Sequence, residues 1–373
     1  MRPVVKTALR RLWRDATTLQ IGVHHERAIV VGGVGEQTAR LIAALDGAHD
    51  AAALRVAARE LGLDEAVVGR LLSMLADAAV LDDAAIDAGP LAALPLAERD
   101  RLAPDLASIS LVSGVLDGGQ SALARRQRAS VRLLGAGRVG GATATLLAAA
   151  GIGRLLVEDP ATCRPADCGP AGPSLADTGT SRAQATHAAI HRASTTTRTA
   201  AAPPEQRFDV VVLAHPASLA PQVADDLVRS GDPHIVVGVR EATAVIGPFV
   251  IPGASACLRC LELHRSDRDP AWPLIAAQLA ADGHRSWVEA CDVTLATLAA
   301  SVCALQVLTF IDGSEPASVD GTLELALPDW RIRRRSWSPH PACGCCWPGR
   351  LPGTNDDVDA AADAAAGLDA VDV

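Results

Sequence analysis

The chain has 373 residues, 49% of them hydrophobic, and a formal net charge of −9. That length leaves room for two domains with sizeable cores, while the acidic balance argues against non-specific nucleic-acid binding, which needs a basic excess. The Arg-dotted start MRPVVKTALRRLWRD lacks the apolar core of a secretory signal and no segment reads as a membrane span, so the expected location is cytoplasmic.

Residues 1–16 read as a basic amphipathic arm, a short helix with Val4, Leu9, Leu12 and Trp13 on its apolar side and Arg2, Lys6, Arg10, Arg11 and Arg14 on the other. Lys6 is the only lysine of the chain, so arginine in place of lysine elsewhere reflects composition. Next, TTLQIGVHHERAIVVGG carries two β-branched runs around a polar turn, the pattern of a hairpin. Helical patterns follow at QTARLIAALDG and across AAALRVAARELGLDEAVVGRLLSMLADAAVLDD, the second split at Gly62 with Asp64 as N-cap. A hairpin with helices at residues 17–83 reads as a small winged-helix-type α+β module. At the position of a recognition helix Arg70 stands nearly alone amid Asp and Glu, so the module suits peptide docking better than a nucleic acid.

Residues 84–116 are rich in Ala, Pro and Leu and read as a linker. From residue 131 strands and helices alternate: SVRLLGAG, GGATATLLAAAG, GRLLVEDP, SRAQATHAAIHRAS, FDVVVLAH, LAPQVADDLVRSG and HIVVGVRE. That order predicts a doubly wound, mostly parallel, Rossmann-like α/β sheet. The acidic, Ala-rich tail at 353–373 predicts disorder.

Gly135, Gly137 and Gly140 have the spacing G-x-G-x-x-G directly after the first of these strands. In that context the first glycine permits the tight turn, the second lets backbone N–H groups approach a phosphate, and the third lets the helix pack closely. Asp159 ends the next strand, 24 residues after Gly135, where an acid meets a ribose hydroxyl. The motif alone does not separate NAD from ATP. A dehydrogenase needs a placed His, Lys or Tyr, and no such constellation follows residue 240.

Nine cysteines, in a compartment read as reducing, favour metal ligation or burial over a disulfide framework. Cys257 and Cys260 form C-x-x-C, and PHPACGCC supplies Cys343, Cys345 and Cys346. Two thiolate pairs distant in sequence close a tetrahedral structural zinc site, with four of these five as ligands. Spacing leaves the choice between Cys345 and Cys346 open. His187 and His191, four apart on one helix face, lack a placed third ligand, and Cys291 and Cys303 read as core thiols of an apolar helix. Cys163 and Cys168 flank a Pro-rich loop with no chemical role assigned.

Taken in order, the glycine loop, GIGRLLVEDP, GVREATAVIGPFVIPG, CLRC, an Ala-rich helix with Gln306 and the last cysteines resemble the ThiF/MoeB superfamily of ubiquitin-activating-enzyme-like adenylyltransferases, over residues 117–352. The front segment resembles the peptide-binding element of cyclodehydratase partner proteins in azoline-peptide biosynthesis. The resemblance implies that Gly135, Gly137, Gly140, Asp159, Asp167 and Arg182 line an ATP or AMP site, that Arg182 stands in for a phosphate-contacting lysine as the catalytic candidate, and that the protein is a homodimer. Asp167 falls where the family has Asn. The family's loop arginine falls at Pro170, and its magnesium-binding aspartate is replaced by His215-Pro216. Adenylation needs cations to clamp the shifting phosphate charge, so these changes make magnesium use doubtful and imply a degenerate nucleotide site. The resulting expectation is a zinc protein that binds a peptide or small carrier protein, working with a separate ATP-using enzyme. The alternative is an active adenylyltransferase acting on a carrier's C-terminal carboxylate.

Overall fold

Two sets of buried side chains divide the computed structural model into units, Met1–Arg128 and Ala129–Val373. The residues described are 1–86, 89–200, 207–214, 221–281 and 289–346. His215, Pro216 and the acidic tail at 353–373 therefore lie outside the described residues.

In the first unit β1 (Pro3–Val5) is followed by β2 (Arg11–Trp13), β3 (Leu19–Ile21) and β4 (Ile29–Val31). The hairpin read from the sequence is β3–β4, with Leu19 opposite Val31 and Ile21 opposite Ile29, and β2 joins its β3 side. Then come α1 (Glu36–Ala43), α2 (Ala51–Glu60), α3 (Glu65–Asp77) and β5 (Leu81–Asp83). Asp64 caps α3, its carboxylate accepting from the Ala66 N–H at 3.0 Å. The unit continues with α4 (Gly89–Ala92), α5 (Leu96–Val112) and α6 (Gln120–Arg128).

Two expectations for this unit are corrected. Residues 1–16 hold two short strands rather than a helical arm: β1 pairs antiparallel with β5, Val5 is buried, and β2 belongs to the three-stranded sheet. The β-branched Val4 and Val5 gain more from that pairing than from a helix with one apolar stripe. Lys6, the sole lysine, is buried, with its ammonium 3.1 Å from Asp82 Oδ1 and donating to the Ser110 hydroxyl at 3.0 Å. Residues 96–112 of the expected linker form α5, whose Leu102, Leu106 and Ile109 recur at helical spacing and are buried. Pro104 stands inside it, and that proline misleads a sequence reading into a break.

The second unit runs β6 (Ser130–Leu134), α7 (Arg138–Ala149), β7 (Arg154–Glu158), α8 (Arg182–Ala193), β8 (Val210–Leu213), α9 (Pro221–Ser230), β9 (His234–Arg240) and β10 (Thr243–Val250). It continues with α10 (Leu258–Arg268), α11 (Trp272–Ala281), α12 (Val293–Ile311), β11 (Gly321–Ala326) and β12 (Ile332–Ser336). The sheet order is β12-β11-β10-β9-β8-β6-β7. Its β7, β6, β8 and β9 are parallel neighbours, and β10, β11 and β12 extend it antiparallel. Both faces are covered, as the alternation along β8 requires. Val210 and Val212 join the large core with α7 and α12, while Val211 and Leu213 pack with Leu227 of α9.

The 19-residue α12, with mean hydropathy 1.9, is long and apolar enough to cross a membrane by length and composition, contrary to the sequence reading. Half of it is buried in this fold, where it packs on α7, β9 and β10 as a core helix. Gln306 is satisfied there, its Oε1 accepting from the Ser318 N–H at 2.9 Å.

Candidate nucleotide loop and metal centre

Strand β6 delivers the chain into Gly135, whose φ of +94° is a conformation glycine adopts without strain. A Cβ on Gly140 would stand 2.0 Å from the Gly135 carbonyl oxygen, so only glycine lets α7 start this close to the turn. Gly137 is the N-cap of α7 and offers no side chain. Thus all three glycines sit as the motif requires, with the helix N-terminus behind them.

Asp159, just after β7, is buried beside that loop. Its Oδ2 accepts from the Ala136 N–H at 2.8 Å and its Oδ1 from the Ala161 N–H at 3.0 Å. The carboxylate read as a ribose partner therefore already ties the glycine loop to the strand end.

Arg182 is the first residue of α8, whose start is fixed by Ser181 and Gln184 in a capping box. Its guanidinium is buried and forks onto Asp167, Nε to Oδ2 at 2.9 Å and Nη2 to Oδ1 at 2.7 Å, with Nη1 3.6 Å from Asp159 Oδ2. Burial opposes the charge on Arg182, but Asp167 and Asp159 outweigh it and raise its pKa above the ordinary value. Asp167 is held in a short 3₁₀ turn, also accepting from the Arg164 N–H at 2.9 Å. A Cβ on Gly137 would lie 3.8 Å from both the Arg182 Cζ and Asp167 Oδ1. The ion pair thus lies against Gly137, the second glycine of the loop.

Sequence reasoning missed Arg138, the first residue of α7. Its Nε donates to the Ala166 carbonyl at 2.7 Å and its Nη1 to the Cys291 carbonyl at 2.9 Å. No local signal announces the second contact, which spans 153 positions. Pro170 is exposed and supplies no cation. Arg182 thus faces two carboxylates, Asp167 and Asp159, whereas Arg138 meets backbone carbonyls.

The cysteines converge. Cys257 is the N-cap of α10 and Cys260 lies in its first turn, while Cys343 and Cys345 follow β12. The sulfur–sulfur distances are 3.8 Å for Cys257–Cys260, 3.5 Å for Cys257–Cys343 and 3.3 Å for Cys260–Cys345. Tetrahedral zinc with bonds of about 2.3 Å places its sulfurs about 3.8 Å apart, so the four thiols have the geometry to hold such an ion. Cys346 Sγ lies 3.7 Å from Cys345 Sγ but meets the Ser255 carbonyl at 3.2 Å and falls outside the set of four whose sulfurs all lie within 4.8 Å of one another. Burial raises the Cys257 pKa and pushes Cys343 up to about 12. Burial also opposes the Cys345 thiolate, but hydrogen bonds from Cys260 and Cys257 outweigh it and lower that pKa.

The other candidates are not brought together into a site. His191 Nε2 meets Thr199 Oγ1 at 3.1 Å, and His187, its pKa lowered by burial and by His191, gains no acidic or thiol partner among the described residues. Cys303 is fully buried in α12, and burial with Glu289 raises Cys291 to about 11. Cys168 Sγ meets the Ser174 carbonyl at 3.1 Å, and burial and Cys168 push Cys163 up to about 11.

The ThiF family model matches residues 110–345. Among solved structures, E. coli MccB with ATP has a TM-score of 0.68 at 17% identity, covering 92% of this chain and 99% of that one. The microcin C7 biosynthetic enzyme MccB with N-formylated MccA has a TM-score of 0.67, with the same identity and coverage. PaaA has a TM-score of 0.65 at 18% identity, covering 89% of this chain and 100% of that one. No curated protein sequence matches the chain.

Proposed function

The chain belongs to the ThiF family, and on that premise we propose that it binds a peptide or small-protein partner without adenylating it, and presents that partner to a separate ATP-using enzyme. The observation that carries this reading is the fork of Arg182 on Asp167, which occupies the cation the family directs at phosphate. The glycine loop still offers backbone N–H groups to an anion, so weak ATP or AMP binding belongs to the proposal and magnesium dependence does not.

Peptide binding is supported by the likeness to MccB, whose structures include complexes with MccA. In this chain we assign it to the first unit, read as a winged-helix-type module. There β4 is an edge of the three-stranded sheet and Val30 is half exposed on it. An extended peptide gains main-chain hydrogen bonds by joining such an edge and specificity from neighbouring side chains. A second shallow feature, a groove of about 460 Å³, is lined by Trp13, Val34, Glu36 and their neighbours.

Cys257, Cys260, Cys343 and Cys345 are assigned to one structural zinc ion, with no ligand position left for chemistry. A homodimer is proposed from the family resemblance, and sedimentation of the full chain tests it.

The peptide reading is tested with a fluorescent peptide or Gly-Gly-ended small protein encoded beside this chain, titrated by anisotropy. Val30→Pro should weaken binding at least tenfold while leaving the second unit's zinc content unchanged. Equal affinity of the variant and the native chain overturns the assignment to β4. The rival reading, an active adenylyltransferase, is favoured by the intact glycine loop and is separated by the exchange assay that closes the Discussion.

A further inference from the structure

Helix α10 carries more ligating groups than the cysteine centre uses. Cys257, Cys260, His264 and Asp267 are spaced by three, four and three residues, so they form one stripe along the helix. The segment after β12 faces that stripe with His340, Cys343 and Cys345. The four sulfurs take one end of the seam. At the other, ligand atoms of His264, Asp267 and His340 all lie within 4.8 Å of one another.

We propose that His264, Asp267 and His340 form a second divalent-cation site, open to solvent and adjoining the cysteine centre. Two imidazoles and one carboxylate suit borderline divalent ions such as zinc, nickel or cobalt, whereas magnesium and calcium prefer all-oxygen shells.

The hydrogen bonds around the two histidines define what binding requires. His264 Nε2 lies 2.9 Å from the Ser338 carbonyl, so this nitrogen carries the proton and Nδ1 keeps the lone pair. A ligating histidine is commonly fixed in this way by a backbone carbonyl. His340 Nε2 stands 2.9 Å from Asp267 Oδ2, the separation of two ligands sharing a proton. A cation takes that proton's place, the ring proton moving to Nδ1 as the 3.1 Å contact from the Ala342 N–H is given up.

The site differs in kind from its neighbour. The Asp267 side chain is 65% exposed, and three protein ligands leave at least one position for water or an anionic group of a bound partner. The two sites are also joined mechanically, because the His340 N–H donates to Cys260 Sγ at 3.2 Å and the His340 carbonyl accepts from the Cys343 N–H at 2.9 Å.

The test is cobalt titration of the metal-free full chain, with bound metal counted by mass spectrometry of the eluate after gel filtration and thiolate-to-cobalt absorption recorded in parallel. Two ions per chain are expected, only the first with thiolate absorption. Asp267→Asn should weaken the second ion at least tenfold, and His264→Gln with Asp267→Asn should abolish it, both leaving the thiolate absorption intact. A native chain that saturates at one ion, or a double variant that still takes two, overturns the proposal. Absent thiolate absorption with one ion lost on His264→Gln supports this site while contradicting the cysteine centre, so the two assignments fail separately.

Discussion

Arg182 and Asp167 meet through two parallel hydrogen bonds of 2.9 and 2.7 Å beside Gly137, and the proposed function rests on this fork. A guanidinium satisfied by one carboxylate and 3.6 Å from a second, Asp159, has little charge left for phosphate. The native chain should bind ATP no tighter than about 100 μM, about 5 to 6 kcal/mol. Asp167→Asn removes one negative charge and should tighten that binding about tenfold, about 1.4 kcal/mol, by calorimetry. Unchanged affinity would show that the fork is not what limits the site.

Removing one member of the cysteine centre should be more damaging than removing its neighbour in sequence. Cys345→Ser should lose zinc and lower the melting temperature by about 5 °C or more, whereas Cys346→Ser should retain both. Because burial keeps the Cys257 and Cys343 thiols protonated at neutral pH without metal, loading must release protons. Zinc affinity should therefore rise with pH, and competition with a chromophoric chelator measures it.

Lys6 holds β1 to the rest of the first unit through Asp82 and Ser110. Lys6→Met leaves the Asp82 carboxylate buried without its counter-charge, at a cost of about 3 to 5 kcal/mol. Asp82→Asn in the same chain should recover part of that loss in urea unfolding. No recovery would mean that the methionine acts through packing alone.

His234 is fully buried in β9, with Nδ1 2.9 Å from the Asp232 carbonyl. Burial lowers its pKa below the ordinary 6.5, against a smaller opposing effect from Asp232. The unfolded chain then binds the extra proton first, so stability from this group is complete above about pH 6.5 and is lost as pH falls toward the folded pKa. His234→Leu should flatten that part of the stability curve in denaturant titrations between pH 7 and 5. An unchanged acid slope would assign it to other groups.

The second unit was largely legible because its signals are local. β-branched runs, a glycine loop and helical stretches such as SRAQATHAAIHRAS each declare their own element, and C-x-x-C spacing declares a ligand pair. The first sixteen residues were not, because three-residue strands are specified by partners such as β5, far along the chain. Pro104 hid α5 for the same reason, since its helix is held by burial of Leu102 and Leu106. Spacing announces that the glycines follow β6 and that Asp159 follows β7, whereas no sequence signal announces the partnership of Arg182 with Asp167. Fifteen residues separate that pair, and only the fold turns the 3₁₀ segment toward α8.

The central claim is that this member of the family binds its partner but does not adenylate it, and ATP–pyrophosphate exchange tests that most directly. The native chain, assayed with magnesium and the peptide or small protein encoded beside it, should exchange label at the rate of the protein-free control. Robust exchange that needs both magnesium and the partner would contradict the account and make Arg182 a catalytic cation released from Asp167 when nucleotide binds.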